Sequence, residues 1–377
     1  MPLYRNEDTG VKIMFCGGGT AGHVYPALAM AQMAKRIYKD ADFVFVGRCG
    51  GEENAAITKA GYEVEEITVE GLSRSFSIKS LKAIIKAIAA TGEAGKLIAK
   101  HKPDIVIGTG GYVCWPVLKA ALSRKIPTAI HESNAYPGLV TRLLASRCDA
   151  VMLGFGEAEE YLGRKSNVYV IGNPVRSDFG KISRKYARRR LGIPEKSFLC
   201  VSFGGSLGAS KMNDTIIDAI PEITKRHPGY VHVHATGRRY FDSVKEGAMR
   251  ITSSSASRIV AYLDNVPLWF AAADLAITRA GAITIAELEA AALPSILIPS
   301  PNVSDNHQTK NALAKEAEGG AVLLSEQNLS KEHLIESICT LIDTPERLGA
   351  MRSALHKKED RRIELLFSKV LKELLAE

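Results

Sequence analysis

The run Ala273–Ala312 reads ADLAITRAGAITIAELEAAALPSILIPSPNVSDNHQTKNA, and its pattern decides the fold class. Leu275 to Thr278 is a short apolar strand and Arg279-Ala280-Gly281-Ala282 a tight turn. Thr284 to Ala292 is a strong helix former ended by Pro294. Ser295 to Ile298 follows as a second strand, and a proline-bounded loop leads into another helix near His307. Strand, small-residue turn, helix and strand make one βαβ unit of a parallel sheet.

The turn admits two readings. A helix N-terminus presents unpaired N–H groups and partial positive charge, and Ala280, Gly281 and Ala282 let a phosphate or sugar approach the backbone. Glu287 then stands one turn in, able to accept from sugar hydroxyls. Alternatively, Thr284-x-x-Glu287 is a capping box in which Glu287 binds only its own backbone. The loop after the second strand carries Asp305, Asn306, His307 and Gln308 side by side. Ligands of parallel sheets sit outside the carboxyl ends of strands, which favours a site there; a solvated surface loop is the other reading.

Outward from this unit the same alternation fills the chain. Val11 to Cys16 is a strand, followed by Gly17-Gly18-Gly19-Thr20-Ala21-Gly22-His23 and a helix beginning near Pro26. Gly17-x-Gly19-x-x-Gly22 matches the dinucleotide fingerprint. The next strand, Phe43 to Val46, ends in Gly47-Arg48, with no acid for an NAD ribose; an Arg there keeps an NADP-binding reductase open. Further on come Tyr62 to Val69, a helix from Ile78, and strand Ile105 to Gly108 running into Gly108-Thr109-Gly110-Gly111-Tyr112. A helix (Val117 to Ser123) and strand Thr128 to His131 precede the loop Glu132-Ser133-Asn134-Ala135. Val168 to Ile171 then leads to Gly172-Asn173-Pro174-Val175-Arg176.

A basic, irregular stretch from Lys181 to Lys196, with Arg188-Arg189-Arg190, follows the domain boundary and reads as a solvated helix face. Then the pattern restarts. Leu199 to Phe203 is a strand, and Gly204-Gly205-Ser206-Leu207-Gly208-Ala209 opens the next helix. Strands at Tyr230 to Ala235, Arg258 to Tyr262 and Ala321 to Leu324 continue it; from Met351 a long helical tail closes the chain. The reading is α/β: two Rossmann-like, doubly wound parallel-sheet domains facing a cleft. The domains are residues 1–174 and 175–357, with a helix at about 358–377 packing back on the first.

The chain of 377 residues is long enough for two full cores. Its net charge of +8 favours an anionic partner, but no aromatic-basic motif accompanies it, so nucleic acid is not expected. Six cysteines without C-x-x-C pairing suggest buried, reduced thiols. No run is apolar and long enough to span a membrane, and the start MPLYRNEDTG lacks a signal-peptide core. His232 and His234 alternate on a strand and read as packing or solvent-facing groups.

In order, these blocks resemble the MurG family, the peptidoglycan N-acetylglucosaminyltransferases. The carrying residues are the three glycine loops, His131-Glu132-Ser133-Asn134-Ala135, Gly172-Asn173-Pro174-Val175-Arg176, and Thr278-Arg279-Ala280-Gly281-Ala282-Ile283-Thr284 with Glu287, Pro299, Gln308 and Asn311-Ala312. Ser133 stands where the family usually has Gln, and Thr141 where Asn is common. The resemblance implies a GT-B glycosyltransferase, inverting, that moves N-acetylglucosamine from UDP-N-acetylglucosamine to the muramyl C4 hydroxyl of lipid I, giving lipid II. A related GT-B glycolipid synthase acting on diacylglycerol is the alternative.

The resemblance also assigns residues. Gly19, Thr20, Ala21, Asn134, Arg176, Ser206, Leu263, Arg279, Ala282, Ile283, Thr284, Glu287, His307 and Gln308 hold the donor, with Leu263 at the uracil. Gly18, His23, Gly110, Gly111 and Tyr112 hold the acceptor. His23 and Asn134 are the catalytic candidates. His23 is base or positioner; capping its helix, or binding only the acceptor diphosphate, is the competing reading. No Asp-x-Asp pair ends a strand, so no metal or cofactor is expected. The lipid acceptor implies a peripheral place on the cytoplasmic face of the membrane, against an anionic surface. Ile78, Leu81, Ile85 and Ile88 with Lys79, Lys82 and Lys86 form one candidate contact face, core packing being the other reading of its apolar stripe; Gly71 to Phe76 is the more favoured contact.

Overall fold

The computed structural model describes residues 10–69, 78–163, 167–205, 208–254, 256–355 and 360–375, with the backbone alone at 21, 78–88, 245, 250, 252–254, 360 and 361. Ser206, the Gly71 to Phe76 lead-in and the side chains of the Ile78–Ile88 face lie outside this description. Contacts divide the chain into two compact units, Met1–Arg176 with Asp360–Glu377, and Ser177–Glu359.

The first unit is a seven-stranded sheet. Its strands are β1 (Lys12–Cys16), β2 (Asp42–Arg48), β3 (Glu63–Ile67), β4 (Ile105–Gly108), β5 (Thr128–Glu132), β6 (Ala150–Leu153) and β7 (Val168–Val170). They run parallel in the order β3-β2-β1-β4-β5-β6-β7. Between them lie α1 (Ala21–Ile37), α2 (Asn54–Lys59), α3 (Ile78–His101), α4 (Cys114–Ser123) and α5 (Leu139–Leu144). Strand periodicity splits β1 between two cores. Ile13 and Phe15 pack with Val24, Met30 and Phe367, while Met14 and Cys16 pack with Ile98, Val117 and Ile130.

The second unit begins with α6 (Arg184–Leu191) and holds six strands: β8 (Phe198–Phe203), β9 (Tyr230–Ala235), β10 (Arg258–Val260), β11 (Leu275–Thr278), β12 (Ser295–Leu297) and β13 (Ala321–Leu323). These too are parallel, in the order β10-β9-β8-β11-β12-β13. Its further helices are α7 (Ser210–Arg226), α8 (Lys245–Ser254), α9 (Val266–Ala272), α10 (Ala282–Ala290), α11 (His307–Ala317), α12 (Lys331–Asp343) and α13 (Pro345–Leu355). The tail read as helical from Met351 is described as helix in α13 up to Leu355 and in α14 (Asp360–Leu374), and α14 belongs to the first unit. There Phe367, Val370 and Leu371 are buried in the α1 core, and Arg36 donates twice to the Glu364 carboxylate, at 2.9 Å each.

One helix start and the setting of one charge run differ from the sequence reading. Proline favours the first helical position, which points to Pro26; the helix starts five residues earlier, at Ala21, and carries Pro26 inside. His23 therefore sits in the first turn of α1. The basic run also differs. It is helical over Arg184–Leu191, and Arg188 is buried rather than solvated. Its guanidinium donates to the carbonyls of Ala272, Pro194, Glu195 and Ser197 and to Asp274 Oδ2, the last at 2.7 Å.

Candidate active site

In each sheet the order reverses between neighbouring strands, β1 and β4 in the first unit and β8 and β11 in the second. Loops leave such a switch point in opposite directions and open a crevice at the carboxyl ends of the strands. The glycine loops follow these strands: Gly17 to Thr20 after β1, Thr109 to Val113 after β4 and, in the second unit, Gly204 and Gly205 after β8, with the Arg279–Gly281 turn after the neighbouring β11.

In the first unit the two loops are pressed together around His23. A Cβ on Gly111, at φ +81°, would stand 2.0 Å from Gly18 O, so only glycine allows this contact. A Cβ on Gly110 would meet the imidazole, 2.6 Å from Cδ2 and 3.0 Å from Nε2. His23 Nδ1 lies 2.9 Å from Gly18 O. A carbonyl only accepts, so Nδ1 carries the proton and the lone pair of the neutral ring is on Nε2, toward Gly110. Thr20 Oγ1 is 3.3 Å from the same Nδ1, and the Gly19 N–H donates to Glu53 Oε1 at 2.5 Å. Tyr112 is exposed beside this pair of loops.

Asn134 follows β5, held by a buried carboxylate. Glu132 Oε1 accepts from Asn134 N–H at 2.9 Å and from its Nδ2 at 3.1 Å; Oε2 accepts from Gly138 N–H at 2.9 Å and Thr141 Oγ1 at 2.8 Å. Thr141, one of the departures from the family pattern, thus serves the same carboxylate. Asn173 Nδ2 donates to Ser133 O at 2.9 Å and ties the Gly172–Arg176 block to this loop. Burial pushes the His131 imidazole below its ordinary pKa, against the opposing effect of its bond to Gly172 O, so the ring is a neutral packing group. The Arg176 guanidinium lies 5.4 Å from the Tyr25 ring centre.

In the second unit α10 starts at Ala282, with Gly281 as N-cap. This removes the capping box: Thr284 is the third helical residue, so Glu287 is too far along to reach the cap's N–H. The first-turn amides of Ala282, Ile283 and Thr284 have no intrahelical acceptor. Arg279 is committed elsewhere. It donates to both Glu326 oxygens, at 2.8 and 3.1 Å, and to the carbonyls of Ile298 and Pro299 at 3.2 Å. Its work is to fasten the turn to the loop after β12. Buried Asn311 adds a second fastening, Nδ2 to Ala280 O at 3.2 Å. In that loop Gln308 Oε1 accepts from Ser300 N–H at 2.8 Å, and His307 Nδ1 lies 2.7 Å from Ser304 O. Leu263 is buried after β10, three strands from β11, ~14 Å at ordinary strand spacing.

The structure thus gathers Gly18, His23, Gly110 and Gly111 in one cluster and Arg279, Ala280, Gln308 and Asn311 in another. Glu53, Glu132, Asn311 and Glu326 were not assigned roles from sequence. Glu132 carried a signal: a carboxylate ending a buried strand needs partners, and Asn134, Gly138 and Thr141 are the nearest donors. Elsewhere, Glu63, Glu65 and His101 form a metal-ligand-like group, but at the amino end of β3; Glu65 already binds Lys100 and His101 at 2.5 and 2.6 Å, which holds its carboxyl below the usual range.

Comparison with known proteins agrees with this architecture. Residues 13–153 match the glycosyltransferase family 28 N-terminal domain and residues 199–366 the C-terminal domain of the same family. A UDP-N-acetylglucosamine--N-acetylmuramyl-(pentapeptide) pyrophosphoryl-undecaprenol N-acetylglucosamine transferase of Acetivibrio thermocellus is 42% identical over 344 residues, 90% of this chain and 92% of that protein. The same-named protein of Carboxydothermus hydrogenoformans is 42% identical over 343 residues, 90% and 91% of the two chains. The crystal structure of Acinetobacter baumannii MurG superposes with a TM-score of 0.74 at 23% identity, covering 96% of this chain and 99% of that one. The two parallel-sheet units have the GT-B architecture of a sugar-transferring enzyme. The chain belongs to glycosyltransferase family 28, in its MurG branch of N-acetylglucosaminyltransferases.

Proposed function

We propose that the enzyme transfers N-acetylglucosamine from UDP-N-acetylglucosamine to the C4 hydroxyl of N-acetylmuramic acid in lipid I, giving lipid II for peptidoglycan synthesis. The carrying observation is His23, its tautomer set by Gly18 and its basic Nε2 turned into paired glycine loops. The first unit supplies the base and the acceptor site; the second supplies the donor site. The C4 oxygen attacks the anomeric carbon, its proton passes to His23 Nε2, and the bond to the β-phosphate oxygen breaks, leaving UDP with the electron pair and the configuration inverted. First-turn amides of α10 and the charge of Arg176 meet the departing diphosphate, the work a metal ion does elsewhere.

In this reading Leu263 packs the uracil and Glu287 accepts from the ribose. Gly19, Thr20, Ala21, Asn134, Ser206, His307 and Gln308 complete the donor contacts; Gly18, Gly110, Gly111 and Tyr112 hold the acceptor. Arg279 acts by positioning. The lipid acceptor and the net charge of +8 support a peripheral place on the cytoplasmic membrane face, against anionic lipid. Among the described residues no helix is long and apolar enough to cross a membrane.

Incubation with labelled UDP-N-acetylglucosamine and a lipid I analogue tests the reaction. Transfer to the muramyl sugar with inversion is expected; transfer to diacylglycerol instead points to the glycolipid synthases, and binding of NADPH but not UDP to a reductase. Glu287→Ala separately tests the donor site. A lost charge-assisted hydrogen bond of ~1.5–3 kcal/mol raises the Kd for UDP about ten- to a hundredfold. Unchanged UDP binding with a lowered melting temperature defeats the assignment.

A further inference from the structure

A line of polar side chains crosses the otherwise apolar core of the second unit. Tyr230, His232 and His234 share one face of β9, and Ser202 joins them from the paired position on β8. Tyr230 OH lies 2.5 Å from His232 Nδ1, His232 Nε2 2.6 Å from Ser202 Oγ, and Ser202 Oγ 2.7 Å from His234 Nδ1. His234 Nε2 is 3.1 Å from Asn213 Oδ1, and Asn213 Nδ2 donates to Thr236 O at 2.9 Å. All of these side chains are buried.

The proton positions follow from the far end. Asn213 gives its N–H to Thr236, so its oxygen faces His234 and Nε2 of that ring carries the hydrogen. Burial pulls His234 down to about 3 and, with His234 beside it, His232 well below its ordinary value, so both rings are neutral. His234 Nδ1 then accepts the Ser202 hydroxyl hydrogen. Ser202 has no second hydrogen and accepts from His232 Nε2–H, whose Nδ1 accepts from Tyr230. Every hydrogen points toward Thr236, an arrangement in which neighbouring bonds strengthen one another.

The end of this line is a glycine loop. A Cβ on Gly208, at φ +74°, would stand 2.2 Å from Thr236 O, the carbonyl Asn213 holds. Asn213 also lies in the first turn of α7, whose amides front the same loop. We infer that Ser202, His234 and Asn213 are positioning residues for the donor: their hydrogen-bonded line orients the Asn213 amide, which clamps Thr236 O against Gly208 and sets the loop that meets the diphosphate. The inference rests on the assignment of that loop to the donor.

Ser202→Ala breaks the line two hydrogen bonds short of the Asn213 amide. In the folded variant the amide signals of Gly208 and of Gly237, which follows Thr236, move in ¹⁵N-correlated spectra, and the Kd for UDP rises by up to about tenfold. Ser202→Thr, which keeps the hydroxyl, returns both toward the parent. Imidazole ¹⁵N spectra of the parent show both histidines neutral with the hydrogen on Nε2 from pH 5 to 8. Unmoved glycine signals with unchanged Kd, or a His234 protonated on Nδ1, overturns the inference. Should Ser202→Ala fail to fold, Ser202→Cys, a weaker hydrogen-bonding group of similar size, gives the same readouts. A parent that binds no UDP defeats the donor assignment, while the glycine signals still decide the line.

Discussion

His23→Ala lowers the turnover of sugar transfer by about a hundred- to ten-thousandfold, the range general-base catalysis supplies, and leaves UDP affinity essentially as it was. The expectation follows from the two ring nitrogens having different work. Nδ1 is occupied by Gly18 O, which leaves Nε2 as the proton acceptor. His23→Asn is the informative companion. Its amide can still donate where Nδ1 did, yet it has no basic nitrogen, so it should be as slow as the alanine variant while melting with the parent. If UDP affinity collapses with turnover, His23 is a donor ligand. If His23→Asn restores the rate, the ring served only to hold the loop.

Asp274→Ala carries the largest expected cost in stability. Asp274 Oδ2 accepts from Arg188 at 2.7 Å and from Leu199 N–H at 2.8 Å, and Oδ1 accepts from Arg184 at 2.5 Å. Arg188 is only 3% exposed, and burial works against its charge while Asp274 offsets that effect. Removing one partner of such a pair leaves an uncompensated buried charge and costs ~3–5 kcal/mol, which lowers the midpoint of thermal unfolding by roughly 10 °C. Leu199 and Leu275 lie at the amino-end side of β8 and β11, away from the glycine loops, so transfer assayed well below the transition should stay near the parent rate. A variant that melts with the parent returns Arg188 to the solvent.

That arginine marks the edge of what the sequence discloses. Arg188, Arg189 and Arg190 are alike locally, and only the packing of α6 on α9 selects the first for burial. Alternation of apolar strands with small-residue turns was legible because each strand of a parallel sheet is covered on both faces and reads as a short apolar run. The turn at Arg279–Thr284 was legible for the same reason, whereas its chemistry was not. Thr284 and Glu287 have capping-box spacing, and only the helix start at Ala282 removes that reading. Arg279 reads locally as a ligand for phosphate, and its ion pair with Glu326, forty-seven residues on, has no local signal. Glu53 and Glu132 escaped for related reasons: Glu53 binds an amide thirty-four residues back, and Glu132 has several competing donors nearby.

The place of α14 has a consequence during synthesis. Ser177–Glu359 is one continuous segment and contains all the strands of its own sheet, whereas the sheet that begins at Lys12 waits for Phe367, Val370 and Leu371 to cover it. On the ribosome the earlier half keeps an uncovered greasy face until α14 emerges. Chaperone demand should accordingly rise as α14 is shortened.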